Sequence, residues 1–204
     1  MNNSLNIYNV ITSGSYSVSE EKFTCDCLKT GDCFALCDYE LSSKKSHVLE
    51  CEFEKIEAVN GEFGIIFGVS DLECVPNKYF AATIDFKNKF VWLSGFCYGR
   101  TWRLRRKLND NDLVSDNFKL RLEIVGQEIS LYFNDVYLFS KKEKAYQGGN
   151  IGLYAKNAHV VFLNYNHIDA TTFSDINISC DDTELVKVNE LFGFSLYRYC
   201  DKRK

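Results

Sequence analysis

Glu50, Glu52 and Glu54 place three carboxylates at alternate positions of one short run, with apolar Leu49, Cys51 and Phe53 between them. The run reads as a strand with one dry face and one acidic face. Neighbours on one strand face stand roughly 7 Å apart. A retaining glycosidase works with carboxyl groups about 5–5.5 Å apart, which is within side-chain reach of that spacing. Acid and nucleophile chemistry on a glycosidic bond is therefore one use of this face. The other is a solvated strand face, charged because it lies opposite the core.

The densest basic cluster is Arg100, Trp102, Arg103, Arg105, Arg106 and Lys107. Alternation puts Trp102, Leu104 and Arg106 on one side and Arg103, Arg105 and Lys107 on the other. Arginine beside an exposed tryptophan can hold a sugar ring by stacking and hydrogen bonds, or an acidic polymer. The same cluster suits an edge strand charged against sheet-to-sheet pairing. Tyr79, Tyr98 and Tyr154, with Trp92, are further stacking candidates. Trp92, between Val91 and Leu93, reads as core; Tyr98, in a glycine-flanked loop, is the better platform.

The nine cysteines are an odd number, so at least one thiol is free or paired between chains. Cys25, Cys27, Cys33, Cys37, Cys51 and Cys97 lie in strand-like runs, where a reduced cysteine serves as a small apolar side chain. Zinc on Cys25, Cys27, Cys33 and Cys37 would need spacings of C-x-C and C-x3-C, unlike the usual C-x2-C pairs. No zinc and at most one disulfide are expected. Met1 to Val10 lacks the basic-then-apolar layout of a signal peptide. With the thiols, that points to a reducing, cytoplasmic compartment for the chain as given; a segment excised from a secreted protein would escape the argument. His47, His159 and His167 are scattered among strand ends and form no recognisable catalytic pairing. Gly148-Gly149 precedes a strand, so it reads as a turn and not a phosphate cradle. Calcium is a possible cofactor, with Asp71, Asp169 and Asp175 available, though no spacing singles them out.

The elements that must position these residues are strands. From Phe118 to Ile168 apolar and polar residues alternate, punctuated by Gly126-Gln127, Asn134-Asp135 and Gly148-Gly149. That is an antiparallel meander with one apolar face, and a second sheet must cover it. Ile65, Phe67, Leu122, Leu131 and Phe133 are the expected core. Upstream, short strands recur with turns between them, Asn60-Gly61 among the hairpin signals. The expected fold is all-β, a two-sheet antiparallel sandwich over residues 1–168. Residues 169–204 form an extension: Leu185, Val188 and Leu191 at helical spacing predict a short helix over Thr183–Leu191. A last strand follows over Phe192–Tyr199, the extension packing on the sandwich. The 204 residues carry a net charge of −4 and a pI near 5.5, which argues against general nucleic-acid binding. No apolar run reaches membrane-spanning length, so no membrane partner is expected.

The order of signals carries a resemblance. It runs through Gly31-Asp32-Cys33-Phe34-Ala35-Leu36, His47 to Phe53, Gly64-Ile65-Ile66-Phe67, Asn77-Lys78-Tyr79-Phe80, and Ile84-Asp85 with Asn88. It continues through Leu120-Arg121-Leu122, Ile129 to Asp135, Gly149-Asn150-Ile151-Gly152-Leu153 and Val161-Phe162-Leu163-Asn164. This series resembles the concanavalin-like, laminin-G-like jelly rolls. Within them it resembles the levan-binding modules, carbohydrate-binding module family 66, which are similar to the C-terminal sandwich of family 32 glycoside hydrolases. It covers about Gly14 to Ile168.

The resemblance implies a non-catalytic, lectin-like carbohydrate-binding module with a catalytic domain or another protein as possible partner. It leaves two alternatives. One is a hydrolase, because concanavalin-like glucanases carry their acids on one strand as E-x-D-x-x-E. The other is an interaction domain that has lost its sugar site. Two positions depart from the levan-binding pattern: Gly68 stands where an arginine often follows the pair matching Ile66-Phe67, and Lys156-Asn157 stands where that pattern has Trp-Asp. Terminal fructose is thus expected to bind weakly. The expected sugar contacts are Asp71, Lys156 and Asn157 to ring hydroxyls, Tyr98 or Trp102 stacking on the ring, and Tyr79 beside them.

Overall fold

The computed structural model describes residues 6–19, 22–29, 31–54, 58–70 and 76–170, and the strands at 185–191 and 194–199. In chain order the first strands are β1 (Ile7–Thr12), β2 (Ser15–Val18), β3 (Phe23–Asp26), β4 (Asp32–Ser42), β5 (Ser46–Glu54) and β6 (Ala58–Val69). Then come β7 (Lys78–Asp85), β8 (Phe90–Cys97), β9 (Arg100–Lys107), a 3-10 turn (Asp110–Leu113), β10 (Asn117–Val125), β11 (Glu128–Phe133), β12 (Val136–Lys142) and β13 (Gly148–Ala170). A separate unit, Thr171–Lys204, holds the antiparallel pair β14 (Leu185–Leu191) and β15 (Phe194–Tyr199). Leu185–Leu191 is therefore a strand, not the expected helix. Leu185 and Leu191 pair with Tyr199 and Phe194 while Val188 falls in a register shift, and strand pairing overrides the weak helical spacing.

All pairings are antiparallel, and the strands form two layers. The first runs β1–β4–β13–β6–β7–β8–β9; the second runs β2–β3–β13–β5–β10–β11–β12. The two layers share β13, which spans 23 residues. Its first half lies between β4 and β6, its second half against β3 and β5. The alternation of Ile151 to Tyr154 and His159 to Leu163 is thus one strand passing from sheet to sheet. Its register shifts near Asn150, at Asn157, whose φ is 46°, and between Phe162 and Tyr165.

The five expected core residues, Ile65, Phe67, Leu122, Leu131 and Phe133, are all buried. Phe53 meets Phe63 edge-on with ring centroids 5.1 Å apart, and Phe118 stacks between Phe53 and Phe133 at 6.0 and 5.9 Å. Each such ring contributes about 1.5–3 kcal/mol by leaving water. Asn134 and Asp135 both take positive φ, as a two-residue hairpin turn requires.

Asn60-Gly61, expected as a turn, lies inside β6. Gly61 is needed for another reason: a Cβ there would stand 2.2 Å from the carbonyl oxygen of Asn157 on β13. The basic run of β9 forms the edge of the first sheet, as one reading of it had it. Cations close that edge over the core: Arg106 donates to the Leu138 carbonyl at 3.1 Å, and Lys141 lies 4.4 Å over the Trp102 ring. The described cysteines Cys25, Cys27, Cys33, Cys37, Cys51 and Cys97 are all free thiols, all but Cys97 buried. The remaining three cysteines lie outside the described residues. Among the described residues no helix is long and apolar enough to cross a membrane.

Candidate functional site

The outward face of the first sheet is built by register. Asp32 on β4 pairs with Lys156 on β13, which pairs with Glu62 on β6. The next row runs Phe34, Tyr154, Gly64, Thr83, Trp92 and Arg105 across β4, β13, β6, β7, β8 and β9. Another runs Leu36, Gly152, Ile66, Ala81, Ser94 and Arg103, and Tyr79 sits opposite Phe96 and Thr101. Residues up to about 120 positions apart in the chain thereby share one surface, because alternate positions of each strand point the same way.

That surface holds a cleft of about 410 Å³. Its floor is aromatic: Phe34 meets Tyr79 edge-on at 5.6 Å and Tyr154 at 5.1 Å, and Tyr79 stacks on Phe96 at 5.3 Å. Beside these rings on the same face, Leu36, Ile66 and Ala81 are buried with Phe34 and Tyr154 in an apolar cluster separate from the main core. The rim is polar. Glu62 accepts from the Thr83 hydroxyl at 3.0 Å and from the Arg103 guanidinium. Asp32 accepts from the Tyr154 hydroxyl at 3.2 Å, with the Lys156 ammonium 3.8 Å away. Arg103 is further fixed by lying 4.0 Å over the Trp92 ring. Two carboxylates thus face two cations, so the rim offers donors and acceptors with no formal excess of either sign. Burial, and then the Asp32 and Glu62 charges, push the Tyr79 phenol up to about 12. Burial likewise raises Tyr154, with Asp32 adding to it. Both rings therefore keep their O–H donors at neutral pH.

Of the residues expected at a sugar site, Tyr79 and Lys156 line this cleft. Tyr98 does not: it stands 75% exposed at the tip of the β8–β9 hairpin, in a turn where it takes φ 46° and Gly99 takes φ 80°. Trp102 faces the other way. Gly95, its partner on β8, leaves room for the indole, and the ring packs toward Phe80 at 6.4 Å on the inner side. Asn157 serves the β13 irregularity, donating its backbone N–H to the Gly31 carbonyl at 3.0 Å. Asp71 lies outside the described residues. Trp92 is not core: it sits on the outer face, half-buried, beneath Arg103 and Arg105.

Sequence reasoning missed Asp32, Glu62, Thr83, Ser94 and Arg103 as a group. Asp32 was masked by its turn-like surroundings, and Glu62 by the Asn60-Gly61 signal beside it. The available clue was a polar residue at an outer position of an otherwise apolar strand, as Thr83 is between Ala82 and Ile84.

Glu50, Glu52 and Glu54 do share one face, but on the other sheet, pointing away from the core on which Leu49, Cys51 and Phe53 are buried. Each has a local partner. Lys119 lies 3.9 Å from Glu50, Asn164 donates to Glu52 at 2.8 Å, and Lys22 pairs with Glu54 at 3.0 Å. Burial raises the Glu50 carboxyl, while Lys119 and Arg121 oppose that shift. These are the contacts of a solvated, charge-paired sheet face.

No family model and no curated protein matches the chain. Solved structures do. Carbohydrate-binding module CBM66 from Bacillus subtilis superposes with a TM-score of 0.62 at 20% identity, over 79% of this chain and 96% of that one. A legume lectin-like domain from Entamoeba histolytica gives 0.56 at 15%, over 79% and 90%. The Bacillus licheniformis beta-glucanase gives 0.55 at 11%, over 83% and 96%. At these identities the likeness is one of architecture, and with the topology above it makes the chain a concanavalin-like jelly-roll sandwich.

Proposed function

We propose that the cleft on the first sheet binds carbohydrate and that the chain acts as a non-catalytic, lectin-like module. One observation carries the reading: an aromatic floor of Phe34, Tyr79, Phe96 and Tyr154 lies beneath a rim of Asp32, Glu62, Arg103, Lys156, Thr83 and Ser94. A sugar ring presents an apolar face for such a floor and hydroxyls around its edge for such a rim. The carboxylates are already charge-paired and the cations already tethered, so the rim is pre-organised and its charges cancel. That favours an uncharged glycan over an acidic polysaccharide. The fold is shared with a carbohydrate-binding module and a lectin-like domain, which supports the reading.

A fructan-like ligand finds less support. Gly68, where the levan-binding pattern often has arginine, takes φ +63°, and a Cβ there would meet Phe80 at 2.9 Å. A partner catalytic domain in a glycan-degrading protein fits the module reading and is part of the proposal.

Calorimetry after a glycan-array screen tests it, with levan and inulin beside β-glucans and acidic polysaccharides. Arg103→Ala and Glu62→Gln each remove a charge-assisted hydrogen bond, and each should weaken binding at least about tenfold with near-ultraviolet dichroism unchanged. Tyr98→Ala and Trp102→Ala separate this cleft from the residues first expected: Tyr98→Ala should leave affinity unchanged. Absence of binding to every glycan would leave the interaction-domain reading standing. Glycosidic turnover lost in Glu62→Gln would make the chain a hydrolase instead.

A further inference from the structure

His47 on β5 lies about 120 residues from His167 and Asp169 on β13, yet the three meet where β4 of one sheet approaches β5 and β13 of the other. His47 sits opposite Asp169 in the β5–β13 register, and His167 opposite Leu49, so all three share the parity of the inward-facing Leu49 and Cys51. His47 and His167 are 1% and 7% exposed. Their surroundings include Tyr39, whose ring centroid lies 3.9 Å from that of His167. An irregularity in the β4–β13 register leaves Asp38 and Tyr39 without partners on β13 and brings Tyr39 to this position.

The polar atoms converge. His47 Nδ1 is 2.8 Å from Asp169 Oδ1, His167 Nε2 is 3.2 Å from the same oxygen, and the two ring nitrogens are 3.3 Å apart. His47 Nε2 lies 2.8 Å from the Ser42 carbonyl oxygen, which can only accept, so this nitrogen carries a proton. A neutral His47 then turns the Nδ1 lone pair toward a carboxylate oxygen. Two lone pairs at that separation need a positive charge between them. A proton can serve one pair of these atoms; a metal ion serves all three at once. A tetrahedral ion bound at about 2.0–2.2 Å to nitrogen and oxygen holds its ligands roughly 3.3–3.5 Å apart, close to the spacing seen. The His47–Ser42 contact is also the outer-shell bond that usually fixes the tautomer of a ligating histidine. Asp169 Oδ2 is held by Lys45 at 3.1 Å, which leaves Oδ1 to face the rings.

We propose that His47 Nδ1, His167 Nε2 and Asp169 Oδ1 bind one divalent transition-metal ion of the zinc class, locking the end of β13 to β5 between the two sheets. Two imidazoles and a carboxylate suit zinc or cobalt better than calcium, which takes oxygen ligands. Its two histidines are buried and its carboxylate is exposed, and the site stands independently of the glycan reading.

Calorimetry with zinc chloride on the reduced, metal-stripped full chain tests it, beside the absorption spectrum with cobalt chloride. The expected result is one ion per chain at low-micromolar affinity or tighter, with visible cobalt bands, no thiolate-to-cobalt charge transfer, and a Tm that rises with zinc. His167→Gln should weaken binding by more than the roughly 10–100-fold that loss of an outer-shell partner costs. Because His167 is buried, so that loss of fold and loss of ligand would coincide in its variant, Asp169→Asn, a change at a partly exposed side chain, is the second arm with the same expected loss. Retained affinity in Asp169→Asn, a thiolate charge-transfer band, or no ion bound would each overturn the assignment.

Discussion

Gly68 stands where the levan-binding pattern often has an arginine, and its backbone accounts for the exchange. The left-handed φ of +63° costs a residue with a Cβ about 1–2 kcal/mol, and that Cβ would press on the buried Phe80 ring. Gly68→Ala should therefore lower unfolding free energy by about 1–3 kcal/mol in a denaturant titration, and Gly68→Arg should not restore fructose binding. Phe133 tests the core directly. It is 2% exposed and stacked on Phe118, so Phe133→Ala should cost about 3–5 kcal/mol, and a loss below about 1 kcal/mol would contradict its placement. The tyrosines set the alkaline limit. Burial and nearby carboxylates push Tyr79 and Tyr132 up to about 12 from 10.0. The unfolded chain gives up these protons near its ordinary value while the fold retains them. Their contribution is therefore full below about pH 10 and is lost as pH rises toward 12. Phenolate absorbance and unfolding should rise together across that window, whereas free titration of these rings near pH 10 in the folded protein would refute it.

At the scale of elements, what could be read from the chain was parity. Leu49, Cys51 and Phe53 against Glu50, Glu52 and Glu54, or Trp102 and Leu104 against Arg103 and Arg105, separate as alternation requires, because each strand has its own two faces. Which face is inward at an edge strand is settled by the neighbour. Trp102 turns in because Gly95 opens a place for it, and no feature of β9 alone announces that. The cleft was illegible for the same reason. Asp32, Lys156 and Glu62 become one row only once β4, β13 and β6 are paired, whereas Tyr79 was singled out as an aromatic and Lys156 by its place in the levan-binding pattern. Asn157 shows the reverse case: a polar side chain expected to touch sugar has a backbone task, taking φ 46° beside Gly61. Asn157→Gly should leave both stability and glycan affinity nearly unchanged, and Asn157→Val should cost about 1–2 kcal/mol by thermal unfolding while sparing affinity in the folded fraction.

For the whole molecule, the chain divides into Met1–Ala170 and Thr171–Lys204. The first unit contains both sheets, the core and the cleft, so a chain ending at Ala170 should unfold cooperatively and bind the same glycans; aggregation of that fragment would refute the division. The order of synthesis adds a constraint of its own. β3, β4, β5 and β6 leave the ribosome early, yet each takes β13 as a partner. Until residues 148–170 emerge, those strands have exposed edges and no closed interior, a state prone to pairing with other chains. The emergence of residues 148–170, more than any local folding step, therefore sets when these strands are safe from aggregation.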